Sequence, residues 1–439
     1  MTKRSELYSF ILANKMIVKN YKTRVVDQKI ERYLKIFGAL LIEGPRWCGK
    51  TRTSRFHSRS QFFLADPKGN FNNKKLAERN PDLVLDGDTP RLIDEWQEVP
   101  AIWDAIRGRV DRSQEKGRFI LTGSATIGKS SYIHTGTGRI ARLRRRPMSL
   151  FESGASDGKV SLKDICENQA KDYLTGDVSL HRIIELILLG GWPAIRNSPV
   201  EAGILVSREY IKSVLNEDIY KTDDVRRDRH KVELLLRSLA RNEATTATNR
   251  TLKNDIKEKD FDDINVDTIA DYLDLLNRLY LTENIPPFGN SIRSSLRLKQ
   301  SEKRHFVDPS LACALLNLNE QKLRNDLNYL GFLFESLVER DLYSYCDSID
   351  AKLYHYQDYK NRERDAVIEL DDGTYCGIEI KLGANQIEEA AKNLVKINDS
   401  IKKEGGIPAK SLCVICGLTN AAYRRKDGVY VVPITSLRP

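Results

Sequence analysis

The sequence predicts an α/β protein of several domains, and three observations carry that prediction. A short apolar run, Ala39-Leu40-Leu41-Ile42-Glu43, leads straight into the glycine-rich turn Gly44-Pro45-Arg46-Trp47-Cys48-Gly49-Lys50-Thr51 and then into a helix-compatible stretch. Further apolar runs follow, separated by helical patterns, as a parallel sheet with crossover helices requires. The periodicity then turns helical and returns to strand-like runs near the C-terminus. At 439 residues the chain exceeds what one hydrophobic core organises. The expected division is an N-terminal helical extension (1–30), a phosphate-loop core (31–155), a helical and winged-helix domain (156–325) and a C-terminal α/β domain (326–439).

Composition narrows the function classes. Seventy-one Lys and Arg against 61 Asp and Glu leave a charge of +10, which biases the surface toward polyanions: nucleotides, DNA or RNA. No apolar run approaches the roughly 18 residues of a membrane helix. The segment Met1–Arg24 mixes Lys and Arg through its apolar stretch and does not read as a secretion signal. A cytoplasmic protein without a membrane partner is expected. The seven cysteines are odd in number and scattered. Cys413 and Cys416 lie inside the apolar run Leu412–Cys416, which favours strand core over metal ligation.

Element by element, residues 1–36 read as basic, amphipathic and helical. Leu83-Val84-Leu85, Leu92-Ile93 and Phe119-Ile120-Leu121 are expected strands, with a helical pattern over Ile102–Val110. Helices are expected at Leu180–Leu189, Val206–Tyr220, Val232–Leu239 and Ile269–Leu276. A Pro-Pro-Phe-Gly turn and the alternating Ser294, Leu296 and Leu298 then precede His305–Asp308. Three helices followed by a basic hairpin resemble a winged helix, and a plain helical linker fits equally well. The last third offers a helix over Leu327–Tyr345, strands at Ala366–Leu370, Tyr375–Lys381, Ser411–Cys416 and Tyr430–Val432, and a helix over Gln386–Ile397.

The chemistry starts at residues 44–51, which match G-x-x-x-x-G-K-[ST] between a strand and a helix. Gly44 and Gly49 permit the backbone angles that turn N–H groups inward around an anion. Lys50 sets a point charge against the β- and γ-phosphates of ATP, and the Thr51 hydroxyl can ligate Mg²⁺. Arg91-Leu92-Ile93-Asp94-Glu95 ends a strand in two acids: Asp94 is the metal candidate and Glu95 the base that activates water. Phe119–Ser124 ends a strand in hydroxyls, so Thr122 or Ser124 suits a γ-phosphate sensor, or equally a cap. Gly138–Arg146 holds five arginines. Arg139 is the candidate arginine finger, a role often filled from a neighbouring subunit of a homo-oligomer.

In order along the chain, residues 44–51, Leu92–Pro100, Ile120–Ser124 and Gly138-Arg139 resemble a large prokaryotic family of AAA-type ATPases. Gly190-Gly191-Trp192-Pro193 is similar to that family's Gly-Gly-aromatic-Pro element, so the resemblance spans nearly the whole chain. It implies an AAA-type ATPase core, a helical or winged-helix segment and a C-terminal domain of unknown function with a restriction-endonuclease-like fold. It also implies phosphate and magnesium roles for Lys50 and Thr51, Walker B roles for Asp94 and Glu95, and a finger or sensor role for Arg139. Trp47 and Cys48 depart from the small or amide residues expected at those positions.

A second site is suggested by Asp365 and Glu379-Ile380-Lys381, a D-x13-E-x-K pattern that resembles the PD-(D/E)xK nuclease core. Glu379 and Lys381 share a strand face, where carboxylates could hold Mg²⁺ and the lysine could steady hydroxide or phosphate. Glu335 would be the acid on the helix. Register is the test: a two-residue Asp372-Gly373 turn faces Asp365 away from Glu379, whereas a three-residue turn or a bulge sets it opposite Lys381. The expected function is Mg²⁺-dependent ATP hydrolysis that drives domain rearrangement on nucleic acid. The alternatives are a nucleotide-gated binding switch with little turnover and a metal-dependent nuclease.

Overall fold

Five short strands form a parallel sheet: β1 (Ala39–Glu43), β2 (Ser60–Phe63), β3 (Arg91–Asp94), β4 (Phe119–Gly123) and β5 (Ile140–Arg144). These belong to a computed structural model that describes residues 21–124, 136–221, 227–257, 264–289, 300–360 and 362–439. The order is β2-β3-β4-β1-β5, with β4 and β5 flanking β1. Apolar side chains cover both faces: Leu41, Ile93 and Leu121 pack on Trp103 and Ile106 of the helix Ala101–Ser113, while Leu40, Ile42 and Ile120 pack on Ile30 of the helix Asp27–Leu34. Because all five strands run the same way, their carboxyl ends, including Glu43, Asp94 and Gly123, lie on one edge. In open α/β sheets that edge carries the ligand.

One expected strand is absent. Leu83–Leu85 forms a short 3-10 turn instead, with Val84 and Leu85 buried and Leu83 exposed. Arg109 ties its flanks by binding Asp82 and Asp86 at 2.8 Å each, which holds the segment outside the sheet. Ser60–Phe63 takes the edge position.

The chain divides into two compact units, a first of residues 1–147 with 221–225 and 278–280, and a second of residues 148–220, 226–277 and 281–439. Its first part is helical, with helices at Leu180–Leu189, Val200–Ser213, Arg229–Arg241, Asn249–Lys257 and Val266–Arg278. Single antiparallel bridges pair Thr245 with Arg304, Thr282 with Phe306 and Ile285 with Lys303. Ser294, Leu296 and Leu298 of the expected hairpin lie outside the described residues. The Gly-Gly-Trp-Pro element has a structural role here: Gly191 N–H donates to Asp308 at 2.8 Å, Trp192 Nε1 donates to Ser310 at 3.1 Å, and Arg340 closes on Asp308 at 2.9 Å.

The strands of this unit are β6 (Val160–Ser161), β7 (Tyr173–Leu174), β8 (Lys352–Gln357), β9 (Glu363–Glu369), β10 (Tyr375–Gly383), β11 (Ser411–Leu418), β12 (Ala421–Arg424), β13 (Tyr430–Pro433) and β14 (Leu437–Arg438). β14 pairs with β6, and the other seven form a mixed sheet, β7-β12-β13-β11-β10-β9-β8. β8, β9 and β10 pair antiparallel, while β10–β11 and β11–β13 are parallel. The helix Leu327–Ser348 precedes β8, and the helix Ile387–Lys403 joins β10 to β11.

Candidate functional site

The loop after β1 is built around two glycines. Gly44, at φ 149°, sits so close to β5 that an added Cβ would fall 2.1 Å from the Arg145 carbonyl oxygen. Gly49, at φ 93°, starts the helix Lys50–Phe56 in the left-handed region. Trp47 also takes a left-handed φ of 62°, and its indole is 55% exposed, while Cys48 is fully buried. Lys50 is 6% exposed, and its ammonium donates to the Gly44 and Pro45 carbonyls at 3.0 and 2.8 Å. The lysine therefore lies along the inside of its own loop, beside the helix N-terminus that favours anions.

The acidic strand end faces this loop across β4. Thr122 is the link: its hydroxyl donates to Asp94 at 2.7 Å and accepts the Glu95 N–H at 3.0 Å. Thr51 also hydrogen-bonds Asp94. Burial pushes the Asp94 carboxyl above the usual range, against the bonds from Thr122 and Thr51. Glu95 has a φ of 55°, a strained setting for a residue with a side chain, and accepts from Ser124 at 3.0 Å and from Gln97. Gln97 was not expected in this role; it follows the acidic pair by two positions in a 3-10 turn, which bends it back onto Glu95.

Sequence reasoning also missed the support beneath the loop. Arg24, 5% exposed, donates to the carbonyls of Cys48 at 3.4 Å and Arg146 at 3.2 Å. Tyr21 stacks on Phe56 at 4.2 Å and donates to Asp27 at 2.8 Å, and Asp27 meets His57 at 3.1 Å. These residues carry no motif. Their partners on the loop, on the helix after it and beyond β5 are reached only in the fold.

Arg139 stands away from the loop of its own chain. It immediately precedes β5, at the amino end of the sheet, and binds Asp111 at 2.7 Å with both side chains well exposed. Five parallel residues at about 3.3 Å each put it roughly 16 Å from the loop edge, so it does not reach the phosphate loop of its own chain. Arg145, at the other end of that strand, is buried, donates its N–H to Glu43 at 2.6 Å and meets Thr53 at 3.3 Å.

In the second unit, the turn between β9 and β10 has three residues, Asp371–Gly373, closed by Leu370 N–H on Thr374 at 2.9 Å. Ala366 pairs with Ile378, and continuing that register sets Asp365 beside Glu379, two residues short of the Lys381 position expected for a three-residue turn. A register shift between Tyr354 and Tyr356 marks a bulge in β9, where Val367 pairs with Tyr354 but Arg364 pairs with Tyr356. Lys381 Nζ lies 3.1 Å from Asp365 and 2.7 Å from Glu379, and Ile380 N–H donates to Asp365 at 2.7 Å. Burial, then repulsion from Asp365, pushes Glu379 up to about 7. Glu335 binds Lys303 at 2.5 Å instead of joining Lys381. Among the described residues no group of three His, Cys, Asp or Glu side chains is disposed to hold a metal ion.

Three family models match successive stretches of the chain. Residues 37–153 match a family described as an AAA domain, residues 180–322 a domain of unknown function (DUF8612) and residues 330–437 another (DUF4143). The first unit thus contains an AAA-type P-loop domain. Two uncharacterized proteins, Mb2031c of Mycobacterium bovis and Rv2008c of Mycobacterium tuberculosis, are each 25% identical over 359 residues, covering 80% of this chain and 72% of theirs. Among solved structures, a Walker-type ATPase of Pyrococcus abyssi is 14% identical, covers 66% of this chain and 94% of its own, and has a TM-score of 0.41. The replication initiator DnaA bound to AMPPCP and single-stranded DNA is 12% identical, covers 59% and 91%, and scores 0.28. No helix among the described residues is long and apolar enough to cross a membrane.

Proposed function

We propose that the chain binds ATP with Mg²⁺ at residues 44–51 and hydrolyses it, using turnover to rearrange its domains on a nucleic acid. The observation that carries this reading is the hydroxyl and carboxylate pair opposite the loop: Thr51 bonds Asp94, Thr122 bonds the same carboxylate at 2.7 Å, and Glu95 stands next in the chain. Thr51 and Asp94 fit a magnesium ion, which prefers oxygen ligands and bound water; when bound it would supply charge neutralisation at the phosphates. Lys50 would leave its loop carbonyls for the β- and γ-phosphates, and the loop amides would bind the remaining oxygens. Glu95, oriented by Ser124 and Gln97, would take the proton of the attacking water. The net charge of +10 supports a nucleic-acid partner, DNA or RNA.

Phosphate release by wild type, Lys50→Ala and Glu95→Gln tests this. Loss of steady turnover in both variants is expected; equal release by all three, with contaminating ATPases removed, would end the reading.

A second reading has its own observation. Both Glu95 contacts, from Ser124 after β4 and from Gln97, engage one carboxylate oxygen, a setting that suits nucleotide occupancy more than rapid turnover. The chain would then be a nucleotide-gated switch, with tight ATP binding, negligible hydrolysis and a Glu95→Gln variant that behaves like wild type. The C-terminal carboxylates do not fit a divalent ion as they stand, because lysines already neutralise them, so no cleavage step is derived.

A further inference from the structure

The C-terminal carboxylates draw part of their charge balance from outside residues 330–437. Lys303 belongs to the stretch that bridges antiparallel to Ile285, with both backbone hydrogen bonds at 2.9 Å. Its side chain is 2% exposed, and its ammonium meets Glu335 Oε1 at 2.5 Å, Glu339 Oε1 at 2.9 Å and the Asp365 carbonyl at 2.8 Å. An ammonium has three protons, and three oxygens surround this one. Two residues on, His305 lies 3.0 Å from Glu339 and 3.3 Å from Glu243. Burial alone would push the Lys303 ammonium down, but Glu335, Glu339 and Asp365 outweigh it and hold it above the usual lysine range.

The spacing suits this cation and not a magnesium ion. The oxygens stand at hydrogen-bond distances, whereas magnesium draws its ligands to about 2.0–2.1 Å in a near-octahedral shell. Lys381 neutralises the other half of the centre, Asp365 and Glu379.

We propose that Lys303 is an integral residue of the C-terminal carboxylate centre: it is the resident cation for Glu335 and Glu339, in place of a divalent ion, and it ties the preceding segment to the bulge at Asp365. The inference does not rest on the nucleotide reading, and its test uses nucleotide-free full-length protein.

Mn²⁺ binding followed by electron paramagnetic resonance should reveal no site that Glu335→Gln or Asp365→Asn removes. A wild-type Mn²⁺ site lost in either variant would overturn the proposal. In a second measurement, Lys303→Met should lower the urea midpoint of unfolding, and adding Glu335→Gln should recover part of the loss, because the carboxylate left without its cation is then gone. Strictly additive effects of the two substitutions would also overturn it. If Lys303→Met does not fold, the Mn²⁺ titration of the other variants still decides the matter.

Discussion

Raising the pH from 6.5 to 9 should loosen the second unit through His305. Its imidazole is 5% exposed, 3.3 Å from Glu243 on one side and 3.0 Å from Glu339 on the other. Burial alone would lower its pKa, but Glu339 and Glu243 outweigh that and push it up to about 9 from the ordinary 6.5. The folded chain therefore keeps a proton that the unfolded chain releases in this interval. The stabilisation is complete below pH 6.5 and is lost as pH rises through 9. At 1.36 kcal/mol per pH unit, the interval corresponds to about 3 kcal/mol. One acid acts in the same sense: burial and the Asp365 charge push Glu379 up to about 7, so it ionises in the folded chain at a cost as pH rises. Urea unfolding followed by circular dichroism across this range, on wild type and His305→Gln, is the assay. Wild type should lose about 3 kcal/mol more than the variant. Equal slopes for the two proteins, or a wild-type gain with pH, would refute the reasoning.

Three further outcomes are expected. Thr122→Val removes the bonds to Asp94 and Glu95 N–H at a fully buried position; it should cost about 1–3 kcal/mol of stability, read from denaturant midpoints, and weaken ATP-Mg²⁺ binding by calorimetry. Leu121→Ala empties a buried place in the first sheet and should cost about 2–5 kcal/mol in the same unfolding assay. All seven cysteines are buried and unbridged, so a thiol reagent should react slowly with native protein and count seven thiols after denaturation, whereas a fast-reacting native thiol would contradict the packing.

What the sequence discloses tracks how local the cause is. The phosphate loop is legible because a tight turn, a lysine and a hydroxyl must occur together within eight positions. β2 is not, because Ser60-Gln61-Phe62-Phe63 occupies a half-buried edge and lacks an apolar run, whereas Leu83–Leu85 has the run but is tethered outside the sheet through Asp82 and Asp86. The convergence of Asp365, Glu379 and Lys381 follows from pattern once the turn has three residues, yet its register depends on where those residues fall. Lys303, Tyr21 and Arg24 were invisible because each has a partner tens of residues away, Thr53 for Tyr21 and, farthest, Arg146 for Arg24. For Arg139 the pattern is silent on position: an arginine beside a glycine says nothing about which end of a strand it occupies.

The irregularity in β9 has an evolutionary cost attached. One extra residue there sets Asp365 and Ala366 against a partner strand that supplies only one position, His355, between Tyr354 and Tyr356. Deleting Ala366 would let the two strands zip without interruption, a gain in ladder regularity, but alternation would swing the acid to the far side, away from Lys381. A lineage that tidied this sheet would lose its carboxylate, so the kink and the acid are expected to persist or vanish together.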